Sequence, residues 1–114
     1  MWPRKYVLLI CDDEKDAPSN EEIKADPEYQ KWDAEVARRA VRFGGARLRP
    51  VADATTVRVR DGEKLISDGP FAETKDFVGG VDIIECADLD EAIEIAAGHP
   101  YAHRGCVEVL PVWE

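Results

Sequence analysis

The residues that could do chemistry gather in two stretches. One is Asp68-Gly69-Pro70-Phe71-Ala72-Glu73-Thr74-Lys75, and the other is His99-Pro100-Tyr101-Ala102-His103-Arg104-Gly105. Asp68 and Lys75 offer a carboxylate and an ammonium, groups suited to acid/base work once a cleft desolvates them. His99 adds a side chain that titrates near neutral pH. These three are the candidate catalytic residues. Glu73, Thr74, Tyr101 and His103 are the candidate substrate-binding residues, and the ligand expected is a small molecule. Each stretch also has a plainer reading. Asp-Gly-Pro is turn chemistry, because Asp bonds its own backbone, Gly tolerates positive φ, and Pro fixes φ. A histidine at a helix C-terminus is favoured by the helix dipole when charged, and His103 reads as an exposed loop residue.

Other chemistries find little support in the residues. Cys11, Cys86 and Cys106 are far apart and lack CxxC or Cys/His ligand spacing, so they read as reduced core thiols and no metal is expected. Gly79-Gly80 lacks the flanks of a phosphate loop, there is no serine nucleophile elbow, and no cofactor is expected. Asp82 and Glu85 fall on opposite faces of one strand. A carboxylate facing a cavity between two sheets would be desolvated, whereas one near a strand end reaches water.

Several elements must position these groups. Lys5 to Cys11 is a continuous apolar run suited to a strand buried on both faces. Ser19 to Ala25 suits a short helix, with Ser19 and Glu22 at capping-box spacing. Tyr29, Trp32, Val36, Ala40 and Phe43 recur at helical steps, which predicts a helix over Glu28 to Phe43 stopped by Gly44-Gly45. Ala46 to Val51 reads as a second strand. Thr55 to Arg60 and Lys64 to Ser67 flank Asp61-Gly62, a hairpin signal. Gly80 to Cys86 is a further strand, and Asp88 caps a helix running to Ala97. Gly105 to Leu110 is the last strand. The order β-α-β, hairpin, β-α-β predicts an α+β fold of the ferredoxin-like, split βαβ type with an inserted β-hairpin. Helices would then cover one sheet face, and a second copy of the chain would cover the other. In that arrangement Cys11 lies near Cys106, with Cys86 at the opposite end of the sheet.

Composition sets outer bounds. The chain has 114 residues, enough for one domain, with 45% hydrophobic and 34% charged residues. Its net charge of −9 argues against nucleic-acid backbones as partners. No apolar run approaches a membrane span, and the first residues lead straight into a strand-like run. The expected location is the cytoplasm, with no membrane partner.

The chain resembles the YCII-related family, in its DGPF branch. The residues that carry the resemblance are Ala54-Thr55-Thr56-Val57-Arg58, Asp61-Gly62, Asp68 to Lys75 and Gly79-Gly80. Lys5 to Ile10, Asp88-Leu89-Asp90-Glu91-Ala92 and Val107-Glu108-Val109 add to it, so nearly the whole chain is covered. The resemblance implies a homodimer forming a dimeric α+β barrel. It implies little about activity, because most members have none established. Distant relatives are proposed enzymes with a His/Asp pair whose histidine lies on the first helix, and Glu28 to Phe43 holds no histidine. Two functional expectations therefore stand side by side: an acid/base enzyme acting in a cleft, and a non-catalytic dimeric binding or regulatory module.

Overall fold

The computed structural model describes residues 4–12, 15, 17–70 and 77–113. In chain order the elements are β1 (Arg4–Asp12), α1 (Asn20–Ala25), α2 (Pro27–Arg39), β2 (Val41–Arg47), β3 (Thr55–Arg60), β4 (Glu63–Asp68), β5 (Phe77–Cys86), α3 (Leu89–Ala97) and β6 (Cys106–Pro111). Short 3-10 turns occupy Val51–Asp53 and Pro100–His103.

Four strands form one antiparallel sheet in the order β2-β5-β1-β6. The apolar run of β1 is inside it, as a strand of that composition requires. The path from β1 through α2 to β2 straddles β5, and the path from β5 through α3 to β6 straddles β1. The protein is thus α+β with a mostly antiparallel sheet. Among the described residues the sheet stays open, since β2 and β6 each have a single neighbour there.

Side-chain alternation sets the core. Tyr6, Leu8 and Ile10 of β1 are buried with Ile84 of β5, Trp32 and Val36 of α2, and Ala92, Ile95 and Ala96 of α3. Leu8, Val36, Ile84 and Ile95 are the largest fully buried side chains. Each contributes about 1.5–3 kcal/mol through removal from water. Both helices therefore cover the same sheet face. On the other face Val7 pairs with Ile83 and Leu110, and Val41 and Phe43 extend the apolar surface. Lys5 Nζ stands 4.4 Å over the Phe43 ring there. Nothing among the described residues covers this face.

The helix expected to reach Phe43 ends at Arg39, and the second strand is Val41–Arg47 rather than Ala46 to Val51. Ala40 is already extended, at φ −144° and ψ 163°. Val41 and Phe43, β-branched and aromatic, take the pleated conformation their side chains favour. Gly44-Gly45 consequently belong to the strand instead of stopping the helix. A bulge lies between Arg42 and Gly44, after which Gly45 pairs with Asp82 and Arg47 with Gly80.

The remaining elements follow their local signals. Ser19 Oγ accepts from Glu22 N at 3.1 Å and Glu22 Oε1 from Ser19 N at 3.3 Å, the reciprocal box read from the sequence. Asp88 Oδ1 caps α3 by accepting from Glu91 N at 2.9 Å. Asp61 and Gly62 take φ of 51° and 79°, as a two-residue hairpin turn needs, and among the described residues β3 and β4 pair only with each other. Cys11 is opposite Cys106 across β1 and β6, and Cys86 is opposite Arg4 at the far end of β1. Cys11 Sγ donates to Leu9 O and Cys86 Sγ to Asp88 O, and no cluster of three metal-ligating side chains occurs among the described residues. No described helix is long and apolar enough to cross a membrane.

Candidate functional site

A cavity of about 510 Å³ opens between α1, the start of α2, the β2–β5 edge and the turn after α3. Ile10, Ile23, Tyr29 and Pro100 supply apolar wall, and His99, Tyr101, Asp82 and Arg42 supply polar groups. Asp26 accepts from Glu28 N at 2.9 Å to start α2, and Pro27 occupies its first turn, where its missing N–H costs nothing. The Arg47 side chain donates to Asn20 Oδ1 at 2.8 Å and to Pro18 O, which ties the head of α1 to β2 across the opening.

His99 is only 6% exposed. Its ring meets three aromatic rings edge to face: Trp32 at 4.5 Å between centroids, Tyr101 at 5.6 Å and Tyr29 at 6.0 Å. That enclosure, with the Arg42 charge second, pulls its pKa down from 6.5 to about 4. His99 is therefore neutral at pH 7. It caps the 3-10 turn, with Nδ1 accepting from Tyr101 N at 3.0 Å. An Nδ1 that accepts carries no hydrogen, so the ring proton is on Nε2. The sequence reading of a charged histidine serving a helix dipole is thus replaced by a neutral one, because α3 stops at Ala97 and the next residues fold His99 into the aromatic layer.

Asp82 is the acid the sequence reading undervalued. It faces the helix side of the sheet, being paired with Leu8 and Gly45, rather than the open side. Burial raises its pKa, and Asp33 adds to the rise, while Arg42 opposes them. Burial prevails because Arg42 is committed elsewhere. Its Nη1 is 2.6 Å from Asp33 Oδ1, whereas its Nε is 3.5 Å from Asp82 Oδ1. Gly45 makes the position available, since a Cβ there would overlap Asp82 Oδ1. The available signal was an acid inside the apolar run Val81-Asp82-Ile83-Ile84 opposite a Gly-Gly pair. Arg42 could not be placed while it was read as helical.

Of the residues singled out from sequence, His99 and Tyr101 meet in the cavity. His103 is exposed and outside it, and Asp68 is exposed at the end of β4, opposite Thr55. Glu73, Thr74 and Lys75 lie outside the described residues. Tyr101 Oη is buried with no hydrogen-bond partner among the described residues, and burial raises its pKa. The Arg104 guanidinium packs 5.2 Å over the Tyr101 ring and pairs with the buried Asp12 at 2.6 Å, fixing the ring from behind.

Comparison with known proteins places this geometry in a family. The YCII-related domain profile matches residues 5–114. An uncharacterized protein of Rhizobium meliloti (strain 1021) is 38% identical over 115 aligned positions, which cover 94% of this chain and 90% of that one. A match spanning nearly every residue, from β1 through the cavity to β6, settles the relationship: the chain belongs to the YCII-related domain family.

Proposed function

We propose that the protein is a small-molecule enzyme working by acid/base chemistry in this cavity. Asp82 transfers the proton, and neutral His99 donates a hydrogen bond from Nε2 to the reacting group. The observation that carries this reading is the pairing of a carboxyl raised by burial with a histidine kept neutral by burial, both lining one cavity. Opposed shifts of this kind suit a proton-transferring group and an uncharged electrophile. Arg42 holds Asp82 from one side and Asp33 from the other. The carboxylate role assigned from sequence to Asp68 moves to Asp82, because Asp68 is exposed and outside the cavity.

A substrate found by a thermal-shift screen of metabolites allows the test. Asp82→Asn keeps size and hydrogen bonding but cannot exchange the proton. Its kcat is expected to fall about 10²–10⁴-fold with KM little changed. An unchanged kcat would falsify the role of Asp82. A second reading is a binding module, favoured by His99 Nδ1 serving as a cap and Asp82 lying beside Arg42. It predicts ligands that stabilise the protein without being turned over.

The finer fold reading is a ferredoxin-like subunit of the DGPF branch that dimerises sheet to sheet. The strand order and the two straddling crossovers support the first part, and the segment Asp68-Gly69-Pro70-Phe71 supports the branch. The uncovered face bearing Val7, Ile83, Leu110, Val41 and Phe43 supports the dimer. Light scattering should give twice the 12.7 kDa chain mass, and Ile83→Glu should halve it. A wild-type chain that scatters as a monomer at tens of micromolar rules out the dimer.

A further inference from the structure

We propose that the cavity takes a small carbonyl compound, uncharged or bearing a single carboxylate, and not a phosphate ester. The inference rests on the reading of this cavity as the site and adds the class of molecule that fills it. It starts from which polar groups around the space are still uncommitted. His99 Nε2–H has no partner among the described residues, because the cap bond uses Nδ1. Tyr101 Oη is buried and likewise unpartnered. Leaving the buried Tyr101 hydroxyl unpaired is unfavourable, and a ligand oxygen that accepts its hydrogen relieves that cost. Both groups are neutral at pH 7, so what they offer a ligand is hydrogen bonds without charge.

The charged groups point the same way. Lys24, Arg42 and Arg47 line the cavity, but so do Glu22, Asp26 and Asp82, so the lining carries no cationic excess. Arg42 already donates to Asp33, and Arg47 to Asn20 Oδ1 and Pro18 O. A phosphate dianion would meet Glu22, Asp26 and Asp82 with both lining arginines already engaged, leaving the single ammonium of Lys24 to answer it. A carbonyl or carboxylate oxygen needs only one or two donors. The remaining wall, Ile10, Ile23 and Pro100, suits a hydrocarbon body of modest size, and the volume falls in the range of small-molecule pockets.

Four probes sharing one ring separate the alternatives: acetophenone, benzoate, phenyl phosphate and toluene. The chain has two histidines, so ¹⁵N-histidine labelling gives an imidazole spectrum that His99→Asn assigns directly. Asparagine keeps an acceptor for Tyr101 N and a good capping residue while removing the Nε2 donor. Acetophenone and benzoate are expected to shift the His99 Nε2 resonance saturably, and phenyl phosphate and toluene to leave it in place. His99→Asn should weaken acetophenone binding about tenfold, the effect of one lost hydrogen bond. The proposal is overturned if phenyl phosphate binds more tightly than the two carbonyl probes, if toluene binds as well as acetophenone, or if none of the four shifts the resonance. Binding is read here without turnover. Acetophenone binding alongside an Asp82→Asn variant of unchanged kcat would therefore remove the catalytic reading and keep this one. Turnover of a phosphate ester would do the reverse.

Discussion

Trp32→Ala is expected to cost about 3–5 kcal/mol of stability and to raise the pKa of His99 from about 4 back toward 6.5. Trp32 is 3% exposed. Its Nε1–H donates to Ile95 O at 2.7 Å, which joins α2 to α3, and its ring is the nearest of the three around His99. Deletion would leave a void among these elements, expose Ile95 O and admit water beside the imidazole. The two losses differ in size. Trp32→Phe keeps most of the buried area and removes only the hydrogen bond, so it should cost about 1 kcal/mol. Urea unfolding followed by circular dichroism measures both variants, and the imidazole NMR titration gives the pKa. If Trp32→Ala loses less than the phenylalanine variant, or if His99 still titrates near 4 in both, Trp32 is not what holds the histidine neutral.

The second large effect is on pH. His99 has a folded-state pKa below its unfolded value. Above pH 6.5 neither state binds the proton and the group has no influence. Between 6.5 and about 4 the unfolded chain binds it and the folded chain does not, so stability falls as pH falls. Across that window the loss is about 3 kcal/mol, at 1.36 kcal/mol per unit. Asp82 acts with the opposite sign. Its folded pKa is raised, so the stability it adds is present at low pH and fades as pH rises through the raised value. His99→Asn removes the first effect and keeps the second. Unfolding free energies of wild type and variant, compared at pH 7 and pH 4, should differ in slope by about 3 kcal/mol over the range, and parallel curves would exclude a buried neutral His99.

Much of the architecture could be read where a signal was local. The apolar run of β1, the Ser19/Glu22 box, the Asp88 cap and the Asp61-Gly62 turn each specify themselves through neighbouring residues. The apposition of Cys11 and Cys106 followed from topology alone. The end of α2 was not legible. Val36, Ala40 and Phe43 keep helical spacing across the break, and only sheet pairing with β5 shows that Val41 onward is strand. That error concealed the site, because it kept Arg42 away from Asp82. His99 was visible as a residue but its environment was not. Its burial is made by Trp32 and Tyr29, some 70 positions earlier, and no local pattern reports a contact over that separation.

The bulge in β2 has a consequence for how this site can change. Along a regular strand, residues 42 and 45 differ by an odd number and project to opposite sides. The one extra residue between Arg42 and Gly44 shifts the parity, so Arg42, Gly45 and Arg47 pair with Ile84, Asp82 and Gly80 and share the cavity side. The site therefore depends on the bulge at this point as much as on residue identity. A regular strand that kept Phe43 in the ladder would leave every functional side chain in the sequence, yet would turn Arg42 out of phase with Gly45 and Arg47.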